Sequence, residues 1–357
     1  MRTFDIDGKR CVAVIRKLTE RECLRLMGVE DADIDKIAAA GVSRSGMYKL
    51  AGNSIVVDVL YHIFRKAFIE RGSDDAQMSI FDVCGEEDTE VYTTGRPLRV
   101  VTLCSGYDSQ CLALERLKRD FPPFDYELVA WSEFDPAVKT PVERQPAVVA
   151  HNALFPGWSG RNLGDMTKID WEKVPDFDLL TYSTPCQSIS QAGLQHGFRE
   201  GSGTRSSIIW NVRDALRVRR PRYALLENVA AMVSEKFLPM FNMWADEVTR
   251  LGYGNHARLL NAKDYGVPQN RERIFLFSIL GGANYRFPKP FPLGRRLSDL
   301  LEDEVDAGYY INPGMTEKFT EENIGMIRKF ALEGGEDIEP LPARLRAWME
   351  TGKWNGR

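Results

Sequence analysis

The sequence predicts an α/β domain built on a parallel sheet, and three observations carry that prediction. Apolar runs of strand length recur along the chain, helical stretches separate them, and the chemically capable residues gather where the runs end. Arg99-Val100-Val101-Thr102-Leu103 reads as the first strand. Cys104-Ser105-Gly106-Tyr107-Asp108-Ser109-Gln110 then makes a tight turn into a helix carrying Leu112, Leu114 and Leu117, and a helix N-terminus after such a turn is a ready anion site. Leu128-Val129-Ala130-Trp131-Ser132 is the second strand and ends at Glu133. Phe177 to Tyr182 is the third and runs into Thr184-Pro185-Cys186-Gln187. Ser206 should open a helix through Ile208, Ile209, Val212 and Leu216, after which Tyr223-Ala224-Leu225-Leu226 delivers Glu227-Asn228-Val229. Gln269-Asn270-Arg271-Glu272-Arg273 precedes a last strand, Ile274-Phe275-Leu276-Phe277. A thiol, a carboxyl group and an arginine pair therefore each stand at the edge of an expected parallel strand, where open α/β sheets collect ligands.

At 357 residues the chain has room for one large α/β domain and a smaller module. Its formal net charge of -4 supplies no global basic field. The six cysteines include no Cys-x-x-Cys pair, the start Met1-Arg2-Thr3-Phe4-Asp5 lacks a signal peptide's apolar stretch, and no apolar run reaches membrane-spanning length. These features predict a reducing cytoplasmic setting without membrane attachment. The four histidines show no metal-ligand spacing.

A lone cysteine is more often core filler than nucleophile. Cys186, Glu227 and the Arg271/Arg273 pair, in this order and each beside a strand, resemble the cytosine-5 DNA methyltransferase family. The resemblance implies a Rossmann-like fold that uses S-adenosylmethionine and acts on double-stranded DNA in a restriction-modification or orphan bacterial or phage setting. It also implies a role for each residue. Carbon 5 of cytosine is a poor nucleophile, so a thiolate, Cys186, first adds to ring carbon 6. Glu227 hands a proton to ring nitrogen 3. Arg273 holds the 2-keto oxygen with a planar donor pair, and Arg271 supports Cys186 and a nearby phosphate.

The same resemblance assigns a cofactor pocket to Ser105, Gly106 and Tyr107 in the first turn. Glu133 would take ribose hydroxyls, Asp165 in Gly164-Asp165-Met166 the adenine amino group, and Phe134 with Met166 the ring faces, unless these last two only fill core. The first turn departs from the family pattern. Cys104 stands where phenylalanine is common, and Asp108 and Ser109 where glycines are. An Asp108 turned inward would repel the cofactor carboxylate or pair with its ammonium group.

The stretch 188–205 contains four glycines and several small polar residues, a composition for a long functional loop. A cytosine must leave the duplex to meet Cys186, so Gln187, Ser190, Gln191 and Arg205 are the expected DNA contacts, with a plain connector as the alternative. Further basic clusters are Arg217, Arg219, Arg220 and Arg222; Arg295 and Arg296; and Arg344, Arg346, Lys353 and Arg357. A solvated helix face explains each equally well.

Thr19 with Glu22 makes a capping box and Gly28 a stop, which predicts a short helix between them. This segment resembles the family's ninth motif. Tyr48 to Ser54, opening a helix with Val56, Val59, Ile63 and Ala67, resembles the tenth, which places Asn53 and Ser54 beside the cofactor. Both motifs normally close the chain, so their position here reads as a circular permutation. The expected organisation is 1–69 for that segment, 70–97 as an acidic linker, 98–280 as the catalytic domain and 281–357 as a small target-recognition module. Within the linker, Gln77-Met78-Ser79-Ile80-Phe81 resembles peptides that dock on a bacterial sliding clamp, against the alternative of a latch on the domain's own surface. Phe287 to Pro292 is extended by its prolines, and Ser298 to Asp303 should begin a short helix. A tRNA cytosine-5 methyltransferase, or a DNA-binding relic without activity, would share these motifs.

Overall fold

The computed structural model describes residues 3–6, 9–12, 16–70, 95–185 and 205–310. It divides into two compact units, residues 24–297 and residues 1–23 with 298–357. This differs from the expected organisation in two ways. The boundary before the C-terminal region falls at 298 rather than 281, and the first 23 residues group with that region rather than with the catalytic domain.

The larger unit is built on a six-stranded sheet. Its strands are β3 (Leu98–Leu103), β4 (Tyr126–Ser132), β5 (Leu179–Tyr182), β6 (Tyr223–Val229), β7 (Tyr253–Asn261) and β8 (Glu272–Leu280), in the spatial order β4-β3-β5-β6-β8-β7. The first four are mutually parallel. All four residues of β5 and five of the six in β3 are buried, the near-continuous apolar reading of strands covered on both faces. The chain leaves β3 for β4 on one side and later returns as β5 on the other, so the turns after β3, β4 and β5 diverge around one crevice.

The last strand corrects the expectation of a parallel partner. β8 runs antiparallel to both β6 and β7, with Val229 opposite Arg273 and Glu227 opposite Phe275. Its beginning therefore lies at the edge where β6 ends, which is how a motif preceding a strand reaches the carboxyl-terminal edge of the parallel strands.

Helices α5 (Ser109–Asp120), α7 (Val212–Arg219) and α8 (Leu238–Arg250) follow β3, precede β6 and follow β6 in turn, and α6 (Pro146–Leu154) follows β4. Ser206 does not open an α-helix directly. A 3-10 stretch, Arg205–Asn211, comes first and α7 starts at Val212. Tyr48 to Asn53 likewise closes a helix, α3 (Arg44–Asn53), and a separate α4 (Val57–Phe68) carries the apolar face of Val57, Leu60, Ile63, Phe64, Ala67 and Phe68. Extended backbone at Ser54 and Val56 breaks the two. α2 (Asp31–Ala39) precedes them. α4 is fastened to α5 by Tyr61 donating to Asp120 at 2.8 Å and by Arg116, which reaches Asp58 at 3.0 Å and the Gly28 carbonyl at 2.9 Å.

In the smaller unit, β1 (Thr3–Ile6) and β2 (Lys9–Val12) pair antiparallel. α1 (Glu20–Arg25) starts with the capping box its sequence predicts: the Glu22 amide donates to Thr19 Oγ1 at 3.1 Å and the Thr19 amide to Glu22 Oε2 at 2.8 Å. Arg16 grips the same carboxylate twice, at 2.7 and 2.8 Å, and the Glu302 amide donates to it at 2.9 Å. Burial alone would push the Glu22 carboxyl up, but these donors outweigh it and hold it below its usual range. The segment from Ser298 begins with a 3-10 turn, Leu297–Leu300, rather than an α-helix.

Candidate active site

Four segments converge on the carboxyl-terminal edge of the parallel strands. Glu227, near the end of β6, is 5 % exposed, and both of its oxygens are engaged. Ser183, just past β5, donates from Oγ to Oε2 at 2.5 Å, and Arg273 Nε stands 3.1 Å from Oε1. A buried carboxylate needs such partners, since each charge-assisted bond is worth about 1.5–3 kcal/mol and an unpaired ion costs more. Arg273, expected to face a substrate oxygen, thus holds Glu227 and also donates from Nη1 to the Glu272 carbonyl at 2.9 Å. Asn228 donates to the Thr184 carbonyl at 3.0 Å, tying the exit of β5 to β6 one residue before Pro185 and two before Cys186. Cys186, Gln187, Ser190 and Gln191 lie outside the described residues, as does the side chain of Arg205.

Arg271, expected to support Cys186, has described partners on the N-terminal side of the site. Its guanidinium donates to the carbonyls of Ser54 at 2.7 Å and Gly52 at 3.0 Å, pinning the end of α3 to the start of β8. The Arg271 amide is itself held by Asn261 Oδ1 at 3.1 Å. Ser54 meets the first turn as well, its Oγ accepting from the Tyr107 hydroxyl at 2.8 Å, while Asn53 is exposed at the last position of α3. Burial pushes the Tyr107 phenol well above its usual range.

That first turn has an uncommon backbone. Cys104, Gly106 and Asp108 have φ of 52°, 60° and 67°. Two of the three are not glycine, and left-handed backbone costs other residues about 1–2 kcal/mol each, least for aspartate and asparagine. Asp108 is fully buried and points into the protein. Its Oδ1 accepts from the Cys111 amide at 3.2 Å, capping α5, and its Oδ2 accepts from the Thr102 hydroxyl at 2.7 Å. The expected clash or pairing of Asp108 with a cofactor is therefore corrected: its carboxylate is engaged in the core. Ser105 is also turned inward, donating to the carbonyls of Thr102 and Ser132 at 3.0 and 3.2 Å.

Glu133 stands half-buried after β4, and its Oε2 accepts from the Gly106 amide at 2.6 Å. Burial pushes its carboxyl above the usual range against the pull of that amide. Asn162 brackets the Glu133 backbone and accepts from the Gly164 amide at 2.9 Å, setting Gly164-Asp165 beside β4. Asp165 caps its own turn, accepting from the Thr167 amide at 3.0 Å and the Thr167 hydroxyl at 2.7 Å, with Lys168 Nζ at 3.2 Å. Burial raises its carboxyl, but these donors win and leave it below the usual range. Met166 is buried with Cys104 Sγ 3.5 Å from its sulfur, and Phe134 is half-buried.

This lining fits a nucleoside with an amino-acid tail. The acid that follows β4, Glu133, is held at the crevice by the Gly106 amide, and sulfur and apolar surface line the wall beyond. Among the described residues no group of His, Cys, Asp and Glu side chains is placed to hold a metal ion.

The sequence profile of C-5 cytosine-specific DNA methylases matches residues 6–68 and 98–332, most of the chain. The chain belongs to that family. A type II methyltransferase, M2.ScrFI of Lactococcus lactis subsp. cremoris, is 43% identical over 152 residues, 42% of this chain and 42% of that protein. The orphan methyltransferase M.Rho11sI of Bacillus phage rho11s is 30% identical over 256 residues, 63% of this chain and 48% of that one. The chain thus spans about half the length of the curated relatives it matches. Among solved structures, Entamoeba histolytica methyltransferase EhMeth superposes with a TM-score of 0.48 at 16% identity, covering 62% of this chain and 65% of that one.

Sequence reasoning missed Ser183 and gave Asn228 no task. Only Ser183 carried a signal, its place between a buried strand and Cys186. The basic cluster from Arg217 to Arg222 precedes β6 and so lies at the sheet edge away from Glu227. Arg217 pairs with Asp214 and Arg219 with Asp176, both at 3.0 Å.

Proposed function

We propose that the chain transfers a methyl group from S-adenosylmethionine to carbon 5 of cytosine in double-stranded DNA. In this reading the Cys186 thiolate adds to carbon 6 of a flipped-out base, and Glu227 gives a proton to nitrogen 3 as electron density arrives there. Arg273 orients Glu227 and faces the 2-keto oxygen. Carbon 5, made nucleophilic, takes the methyl that the bound cofactor supplies; the carbon-5 proton is then lost to solvent, the Cys186 thiolate is expelled, and nitrogen 3 returns its proton to Glu227, which regenerates the enzyme. Ser105, Gly106, Tyr107, Glu133, Phe134, Asp165, Met166 and the Asn53-Ser54 corner form the cofactor side, and Gln187, Ser190, Gln191 and Arg205 the DNA side.

The observation that carries the reading is the Ser183–Glu227–Arg273 cluster at the mouth of the segment that leads to Cys186. Two helices of the N-terminal region, α3 and α4, lie in the larger unit, and the end of α3 with Ser54 meets Arg271 and Tyr107, which supports reading the motif order as a circular permutation. A cognate restriction endonuclease and a sliding clamp docked through Gln77–Phe81, which lies outside the described residues, complete the proposal, as does a cytoplasmic setting. No helix among the described residues is long and apolar enough to cross a membrane. Bisulfite sequencing of DNA from cells expressing the chain tests it. The expected result is protected cytosines in one recurring sequence context; unmodified DNA together with methylated tRNA would overturn it.

A further inference from the structure

Beneath the first turn lies a second layer that the catalytic reading does not use. His151, on α6, is fully buried, and its ring lies flat on Trp131 with centroids 3.6 Å apart. Neither ring nitrogen finds a hydrogen-bond partner, and Nε2 stops 3.6 Å from Asp108 Oδ2. An imidazole kept at zero exposure without hydrogen bonds is costly, because buried polar groups are normally satisfied. Its placement makes sense through what it touches. Asp108 is a fully buried carboxylate at a left-handed residue, and it fixes both the start of α5 and, through Thr102, the end of β3.

The turn between Asp108 and Glu133 is thereby gripped from two sides. Glu133 takes the Gly106 amide from the crevice, while Asp108 anchors the following turn from within the core. His151 and Glu133 both follow β4, so this one strand and its connection supply both grips.

We propose that Asp108 and His151 form a buried positioning pair that sets the backbone of the cofactor turn, in place of glycines that would adopt that backbone unaided. The pair touches no substrate. Glycine reaches left-handed φ without side-chain help, whereas an aspartate there must be held: the Thr102 hydroxyl and the Cys111 amide bond its carboxylate, and His151, backed by Trp131, packs against the Oδ2 side. This rests on the cofactor reading above, and its consequence is specific: loosening the pair weakens cofactor binding and leaves DNA binding alone.

Calorimetry with S-adenosylhomocysteine on the full chain, with melting temperature recorded beside it, tests the pair. Asp108→Asn keeps side-chain volume, and His151→Phe keeps a flat ring against Trp131 while removing the ring nitrogens. Each should weaken binding about tenfold or more, raise KM for the cofactor without raising KM for DNA, and combine in the double variant with no further loss. His151→Gln, which keeps a polar donor beside Asp108, should recover part of the affinity. Variants that melt lower yet bind as tightly as wild type would show that the pair is core filling and overturn the inference. Additive losses in the double variant would also overturn it. Wild-type protein that fails to bind S-adenosylhomocysteine would instead overturn the cofactor reading itself.

Discussion

The two halves of the crevice are fixed by different means. On the catalytic half, functional groups hold one another: Ser183 and Arg273 occupy the two oxygens of Glu227, and Asn228 secures the backbone that leads to Cys186. On the cofactor half, what matters is the path of the backbone. Side chains turned away from the crevice, Asp108, Thr102 and Ser105, hold that path from behind. The difference teaches why the chain keeps the family's residues on one half and departs from them on the other. A nucleophile or a proton donor cannot be replaced by another chemistry, but a left-handed turn can be reached by glycine or by a well-held aspartate.

Substitutions on the two halves should therefore fail differently. The largest effect is expected from Cys186→Ala, which removes the proposed nucleophile and should abolish tritiated-methyl transfer to DNA, while Glu227→Gln should lower kcat by about 10²–10⁴ with the cofactor KM unchanged. A Glu227→Gln loss confined to KM would erase the distinction between the halves.

Next in size, Glu133→Ala should cost about 1–3 kcal/mol of cofactor affinity, read by calorimetry, with kcat at saturation nearly preserved. Glu133 also sets a pH signature. Its folded carboxyl lies above the usual range because of burial, so its contribution to stability is complete below the ordinary glutamate range and is lost as pH rises through the raised value. Compared with Glu133→Gln, wild-type protein should lose melting temperature across that window. Parallel pH curves for the two would contradict the burial argument.

Arg271→Lys should come third. A lysine lacks the longer, planar guanidinium whose Nη2 bonds both the Gly52 and Ser54 carbonyls, so unfolding in denaturant should show a loss of about 1–2 kcal/mol. The smallest effect belongs to Thr19→Ala, about 1 kcal/mol for a lost helix cap, seen as faster amide exchange at Glu22.

Much of this was legible in the sequence. The strands announced themselves because buried parallel strands are nearly all apolar, and the Thr19/Glu22 box sits at a spacing where side chain meets amide. β7 was illegible for the opposite reason: Tyr253–Asn261 is an edge strand with its middle exposed, so its composition carries no clear period. The direction of β8 is not written in its residues either, since antiparallel pairing is settled by what lies on each side. The bonds of Arg271 to the Gly52 and Ser54 carbonyls were not legible, because backbone partners leave no trace in sequence. His151 gave no signal since its meaning depends on Asp108, and 43 positions separate the two along the chain.

The central claim is that Cys186 attacks cytosine within DNA, and one measurement meets it directly. Duplex DNA carrying 5-fluorocytosine in the chain's own target context, incubated with the protein and S-adenosylmethionine, should become covalently attached, because fluorine cannot leave carbon 5 as a proton does. Peptide mass mapping should then place the adduct on Cys186. An adduct at another residue, or methylation of the unmodified duplex with no adduct on the fluorinated one, would contradict the account.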